Sequence, residues 1–153
     1  MPEKRTSTGL AWGCLAMVVL PVIGMFLLVM VPMWGNDAKL AAMIDRFESH
    51  PLPPKTDWLE FNNPDASIAL RGNGNHCDYR ARFTLRTHLT ARELTDYYDD
   101  VKLAGVEGPS LAITVWMPQP SERSAYYNEG FGSRAAIVEI SDSTDNGWDL
   151  RCT

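Results

Sequence analysis

The pattern of hydrophobic and polar positions is dominated by one uncharged apolar run over residues 10–34. About 20 apolar residues in a helix span the roughly 30 Å hydrocarbon core of a bilayer, so this run can cross it with some tilt. Trp12 and Trp34 lie near its two ends, where indole side chains favour the headgroup region. Pro21 lies inside the run and is expected to kink the helix rather than end it. The run predicts a transmembrane helix.

Two other interpretations of the apolar run are open. A cleaved signal peptide has a shorter core of about 7–15 residues and a small-residue cleavage site, for which only Gly35 and Ala38 are candidates. A lipidation site at Cys14 would need the apolar stretch before the cysteine, whereas most of it follows. The length of the run favours a helix that is retained in the mature protein.

Basic residues beside the run indicate its orientation. Lys4 and Arg5, with the terminal amine, precede it, and Lys39 and Arg46 follow it. Because Lys and Arg are enriched on the cytoplasmic side of a membrane, this slight bias favours a cytoplasmic N-terminus. The domain after the run is then expected to be periplasmic or extracellular, in a protein of the cell membrane.

Cys77 and Cys152 are the two cysteines outside the apolar run. An even pair in an exported domain predicts a disulfide, which would close a loop of about 75 residues and stabilise the fold by on the order of 4 kcal/mol. The alternative is two unrelated thiols in a cytoplasmic domain. The disulfide agrees with the orientation that the basic residues favour.

The chain divides into four parts on this basis. Residues 1–9 form a short cytoplasmic tail, and residues 10–34 form the transmembrane helix. Residues 35–55 form a juxtamembrane helix, which Asp37 can cap and which can continue the span as a stalk, and a connector rich in proline. Residues 56–153 form an extracytoplasmic domain, which is small enough to benefit from a disulfide.

Alternating and amphipathic patterns predict the elements of this domain. Between residues 79 and 86 apolar and polar side chains alternate, as in a half-buried strand. Thr90 and Glu93 have the spacing of a capping box and open a helix with an apolar stripe. Further strands are predicted over 67–71, 111–116, 135–141 and 148–153, the last closing a hairpin after a turn at Asn146 and Gly147. This order predicts an α+β fold, in which an N-terminal transmembrane helix precedes a small antiparallel sheet with helices on one face.

Composition and motifs exclude several functions. With 19 acidic and 14 basic residues the chain carries a net charge of −5, which argues against nucleic-acid binding. His50, His76 and His88 are far apart, and there is no paired CxxC and no HExxH, so we expect no metal site and no cofactor. Residues 142–149 partly match a calcium loop but lack its late glutamate, and the hairpin explains the same residues.

His76 and Cys77 form the strongest catalytic-looking pair, because a thiol beside an imidazole suggests a cysteine nucleophile. Such a site also needs a base that is close in space and a group that orients it, and a disulfide at Cys77 would exclude it. We favour a turn over residues 72–75 followed by the disulfide, and we expect no catalytic residue here.

The first candidate binding surface is a stripe of arginines. Arg80, Arg82 and Arg86 share one face of their strand. They predict a site for an anion or an acidic partner, because guanidinium forks suit carboxylates and phosphates. The alternative is a solvated face on which they pair across strands with acids such as Glu139 or Asp149.

The second candidate binding surface is the loop that holds Tyr126, Tyr127 and Phe131. Exposed aromatic side chains on a loop with glycines often mark an interface. The alternative is that these rings fold back onto the small core of the domain.

Together these features predict a membrane-anchored extracytoplasmic binding module whose ligand the sequence does not identify. Its expected partners are the lipid bilayer and a membrane or envelope protein. One alternative is an accessory subunit of a larger membrane complex, held through the helix face that carries Gly9, Gly13 and Ala16. Another is an envelope hydrolase that uses His76 or His88.

Overall fold

The computed structural model of the protein describes residues 8–59, 64–118, 134–145 and 147–153. A long apolar helix precedes a small antiparallel sheet and one further α-helix, so the chain is of the predicted α+β class. In chain order the elements are α1 (Thr8–Glu48), β1 (Thr56–Trp58), β2 (Asp65–Ala69), β3 (His76–Thr87), α2 (Ala91–Asp99), β4 (Ala112–Trp116), β5 (Arg134–Asp145) and a final 3-10 helix (Leu150–Cys152).

α1 is one continuous helix of 41 residues, and Pro21 and Pro32 both lie inside it. Pro21 does not end the helix, as expected. Asp37 does not begin a separate helix, because α1 runs through that position to Glu48, and the juxtamembrane helix instead continues the apolar run, as the stalk interpretation expected. At 1.5 Å per residue this helix is about 60 Å long. The apolar run and the segment after it therefore belong to a single helix.

The C-terminal part of α1 belongs to the core of the domain. Met43 and Phe47 are buried, and Leu40 and Ile44 pack against the same core. These positions share one face of the helix, because residues three and four apart lie one above the other. In contrast, no residue of the stretch 16–35 is buried.

β3 is the centre of the sheet. It pairs antiparallel with β5 along its full length, from His76 opposite Asp145 to Thr87 opposite Arg134. β1 and β2 pair with the other edge of β3, and β4 pairs with the far edge of β5. β1 was not predicted, because a run of three residues gives no readable alternation.

The side chains of β3 alternate between the two faces of the sheet, as predicted. Every second residue from Cys77 to Thr87 is buried. On this buried face the ring centroid of Phe83 lies 4.5 Å from that of Phe47 on α1, and the Phe47 ring lies 5.9 Å from that of Tyr98 on α2. Both helices and the sheet therefore share one core.

α2 begins with the predicted capping box. The Thr90 hydroxyl accepts a hydrogen bond from the backbone N–H of Glu93, and the Glu93 carboxylate accepts one from the backbone N–H of Thr90. Two backbone donors at the start of the helix are thereby satisfied. Leu94 and Tyr98 are the buried members of its apolar stripe.

The turn between β2 and β3 lies at residues 72–75, as predicted. Gly72 and Gly74 have positive φ angles of 84° and 152°, which other residues rarely adopt. A Cβ atom at Gly74 would lie 2.6 Å from Nδ1 of His76. Position 74 therefore requires glycine for both backbone and steric reasons.

The predicted last strand over residues 148–153 is wrong. β5 ends at Asp145, and the chain then forms the 3-10 helix instead of a returning strand, so the described residues form no hairpin here. Asp149 caps this helix by accepting a hydrogen bond from the backbone N–H of Arg151, and Cys152 is bonded to Cys77. These two contacts turn the chain end towards the start of β3.

Candidate functional site

The end of the chain meets α1 in a buried polar cluster that we call the helix–domain junction. Its buried members are Asn36 on α1, Tyr79 on β3 and Asp149 near the C-terminus, and the half-buried Arg151 and the exposed Asp37 complete it. The buried Asn36 amide donates to the Asp149 carboxylate at 2.9 Å, and its carbonyl oxygen accepts from the Tyr79 hydroxyl at 2.8 Å. One side chain thus ties the helix, the sheet and the C-terminal segment together.

Asp149 and Arg151 form the charged part of the junction. Asp149 is fully buried, and the Arg151 guanidinium donates to its two oxygens at 2.7 and 3.0 Å. The same guanidinium donates to Asp37 at 2.6 Å and to the backbone carbonyl of Met33 at 3.0 Å. Because a buried carboxylate is costly without such partners, these bonds hold the chain end against α1.

The ionisation of the junction indicates a structural role. The Arg151 guanidinium, assisted by the Asn36 amide and opposed by burial, lowers the pKa of Asp149 from 3.8 to about 2. In turn, Asp149 and Asp37 raise the pKa of Arg151. Both groups are therefore charged at neutral pH, and a carboxylate held in this way is a poor general acid or base.

The predicted Cys77–Cys152 disulfide is confirmed and lies beside the junction. It joins β3 to the 3-10 helix, with Cα atoms 5.0 Å apart. Cys77, Cys152 and Asp149 also have their potential metal-ligand atoms within 4.8 Å of one another. Because the two sulfurs are bonded to each other, they supply no thiolate ligands, and the group does not form a metal centre.

An apolar groove lies between the C-terminal segment and α1. Outside α1, Trp148 and Leu150 are the two exposed large hydrophobic side chains of the described residues, at 80% and 60% exposure. The groove has a volume of about 620 Å³ and is lined by Trp148 together with Gly24, Leu27, Leu28, Val31 and Pro32. The domain thus places its most exposed aromatic ring beside the apolar part of α1.

The three predicted arginines lie on the sheet face opposite the core. Arg82 donates a hydrogen bond to Glu139 on β5, and Nε of Arg80 lies 3.8 Å from the same carboxylate. Arg86 is exposed. This arrangement matches the cross-strand interpretation for Glu139, whereas Asp149 lies in the junction instead.

A polar pocket of about 460 Å³ adjoins these arginines. Its charged lining consists of two arginines and three carboxylates: Arg71 and Arg80, and Asp78, Glu139 and Asp142. Because the carboxylates outnumber the arginines, the pocket lacks the positive field that favours an anion.

His76 lies close to a serine and an aspartate without forming a catalytic triad. Asp78 accepts a hydrogen bond from the Ser143 hydroxyl and lies 3.2 Å from Nε2 of His76. The serine thus donates its hydrogen bond to the carboxylate rather than to the imidazole, so His76 is not placed to take the proton of Ser143. His88 is exposed and follows the opposite end of β3.

The predicted aromatic loop is not among the described residues, and one contact of the junction could not be predicted from the sequence. Tyr126, Tyr127 and Phe131 fall outside the described residues, so the aromatic loop stays a prediction. The pairing of Asn36 with Asp149 was not predicted, because no local pattern links residues 113 positions apart.

Comparisons with known proteins were made at three levels. No protein-family model matches the chain, and neither a curated protein nor a solved structure matches it.

Proposed function

We propose that this protein is a single-pass membrane protein in which the apolar part of α1 is the spanning segment. The exposure of that part carries the proposal. α1 contains an apolar stretch with a mean hydropathy of 2.5, and no residue of this stretch is buried. Met17, Leu20 and Leu28 are 81%, 65% and 70% exposed. Apolar surface in water costs roughly 25 cal/mol per Å², whereas a bilayer covers it without that cost.

The proposed orientation has the N-terminus in the cytoplasm and the domain on the periplasmic or extracellular side. The Cys77–Cys152 disulfide supports this orientation, because disulfides persist in oxidising compartments. Lys4 and Arg5 also support it, because basic residues near a span are enriched on the cytoplasmic side.

The domain is proposed to be a binding module for an envelope protein. Its fixed connection to α1 supports this role, because the junction would hold the same surface towards the same side of the membrane. The exposed Arg86 offers one charged contact on the strand face with Arg80 and Arg82. Within the described part of the chain, the side chains around His76 provide no activated nucleophile.

A pull-down with the full-length protein in detergent tests the binding role. Crosslinked envelope extract is passed over the wild type, an Arg86→Gln variant and an Arg92→Gln control on the exposed side of α2. We expect the wild type and the control to retain one defined envelope protein, and we expect Arg86→Gln to weaken the retention of that protein. Substrate turnover in activity screens with no retained protein would contradict the proposal.

A second candidate function is an accessory subunit of a membrane complex that is held through α1. The small residues Gly9, Gly13 and Ala16 near one helix face motivate it, because small residues allow helices to approach closely. Replacing residues 10–31 by an unrelated span of equal length keeps the junction and tests this idea. Loss of the partner from that variant would support the accessory role, and full retention would contradict it.

An envelope hydrolase is the remaining alternative, and His76 or His88 would be its base. A double variant with alanine at both positions tests it. An unchanged activity or phenotype would eliminate the hydrolase, and a complete loss with an unchanged thermal melt would favour it over the binding role.

A further inference from the structure

A charged cleft adjoins the apolar groove beside Trp148. The cleft has a volume of about 400 Å³, and its charged lining residues are Lys39, Glu107 and Asp145. Pro32 and Trp148 line both the groove and the cleft. The two spaces therefore form one amphipathic site, with an apolar part along α1 and a charged part on the domain.

The position of this site matches the boundary of the proposed span, and the inference therefore rests on the proposed function. The apolar part follows α1 from Gly24 to Pro32, inside the uncharged run. Lys39 lies seven residues further along the helix, which is about 10 Å at 1.5 Å per residue. A headgroup region is of similar depth, since it adds roughly 5–8 Å on each side of the hydrocarbon core. Trp148 lies between the two parts, where an indole is favoured.

We infer that this site binds one phospholipid with an amine-bearing headgroup, its acyl chain in the groove and its headgroup in the charged cleft. The charged side chains of the cleft indicate which headgroup it binds. Lys39 can contact the lipid phosphate, while Glu107 and Asp145 can contact the lipid ammonium group. One positive and two negative side chains disfavour an anionic lipid with a glycerol headgroup, because such a lipid has no ammonium group to set against the two carboxylates.

The charged cleft also distinguishes a lipid from a second helix as the occupant. An apolar helix from a partner would fill the groove but would cover Asp145 and the Lys39–Glu107 pair without offering either a polar contact, which is costly. Lys39 and Glu107 form an ion pair with side chains that are 40% and 52% exposed. Such an exposed pair is weak, so a headgroup can separate the two charges and contact both.

Photocrosslinking of the full-length protein in lipid nanodiscs tests the inference. Three probes carry the same diazirine-bearing acyl chain on an ethanolamine, a choline or a glycerol headgroup. We expect the ethanolamine lipid to label the α1 peptide around Leu28 and the peptide with Trp148. The labelling yield of the ethanolamine lipid should be about three times that of the glycerol lipid, because one exposed charge contact changes binding by about this factor.

Variants separate the two parts of the site. Trp148→Ala should lower labelling of α1 several-fold for every headgroup, and Trp148→Phe should restore it. Glu107→Gln with Asp145→Asn should remove the preference for ethanolamine while the total yield stays the same. Equal labelling by all three probes, unchanged by Trp148→Ala, would overturn the inference. Crosslinks that show another protein in the groove would also overturn it.

The same samples distinguish failure of the inference from failure of the proposed function. Extraction of membranes with alkaline carbonate releases a protein that has no span. A protein that stays in the membrane but shows no lipid preference would contradict only the lipid site. A released protein would contradict the proposed function itself.

Discussion

Asn36 on α1 donates a hydrogen bond to Asp149 at 2.9 Å, although 113 positions separate the two residues. Asp149 is fully buried and is bonded to Arg151, which also donates to Asp37 on α1. The proposed membrane span is therefore attached to the domain by side chains near the C-terminus. Because the attachment is a continuous helix with buried contacts, a movement of the span would move the domain with it.

Removal of the Asp149 carboxylate should destabilise the domain. Asp149→Ala leaves Arg151 without its main partner and Asn36 without an acceptor, and we expect a loss of about 3 kcal/mol. Thermal unfolding of the full-length protein in detergent measures the loss. Asp96→Ala, which removes an exposed acid on α2, is the control and should change stability by less than about 0.5 kcal/mol. Equal melting temperatures for the two variants would contradict the role of the junction.

The junction should also make stability depend on acid pH. The pKa of Asp149 falls from 3.8 to about 2 on folding, so the native state favours the ionised form. Its contribution, about 2 kcal/mol, is complete above about pH 4 and is lost as the pH falls through about 2. Melting of the wild type and of Asp149→Asn is compared across this range. The difference between them should shrink towards low pH, and a constant difference would argue against this carboxylate.

Loss of the disulfide should be the largest single destabilisation. Cys77 and Cys152 close a loop across 75 residues, for which chain entropy gives about 4 kcal/mol. We expect Cys77→Ser with Cys152→Ser to lower the melting temperature, and a reductant to lower that of the wild type equally. The double variant should be insensitive to the reductant. Because both sulfurs are buried, the wild type is first unfolded and refolded in reductant; unchanged melting after that treatment would show that the bond is not formed.

The capping box of α2 should contribute locally. Thr90→Ala removes the acceptor for the backbone N–H of Glu93, and we expect a loss of about 1 kcal/mol, which Thr90→Ser should largely restore. Thr95→Ala on the exposed side of α2 is the matched control. A loss for Thr95→Ala as large as for Thr90→Ala would assign the effect to the helix as a whole.

The features that the sequence predicted well are those with a local cause. The capping box needs only Thr90 and Glu93 three positions apart, and the alternation over residues 79–86 follows from the geometry of one strand. The disulfide was also predictable, because Cys77 had one partner available outside the apolar run.

The features that the sequence missed depend on distant contacts. Asp37 resembles a helix start, yet α1 runs through it, and the burial of Asn36 against Tyr79 and Asp149 cannot be read from the local sequence. Residues 148–153 resemble a strand, yet the Asp149 cap and the bond from Cys152 turn them into a 3-10 helix. The charged cleft likewise collects Lys39 and Glu107 from separate segments, which no local pattern reveals.

Thiol accessibility in intact spheroplasts tests the central proposal most directly. The experiment uses the full-length protein with the substitution Cys14→Ser, so that Cys77 and Cys152 are the two remaining cysteines. Because Cys77 and Cys152 are buried, urea that unfolds the domain but leaves the membrane closed is present throughout. A membrane-impermeant maleimide polymer is added with or without a membrane-impermeant reductant, and the protein is separated on a gel. We expect a shift by two polymers only after reduction, without lysis of the cells. A shift without reduction, or one that appears only after lysis, would contradict a disulfide-linked domain on the outer side of the membrane.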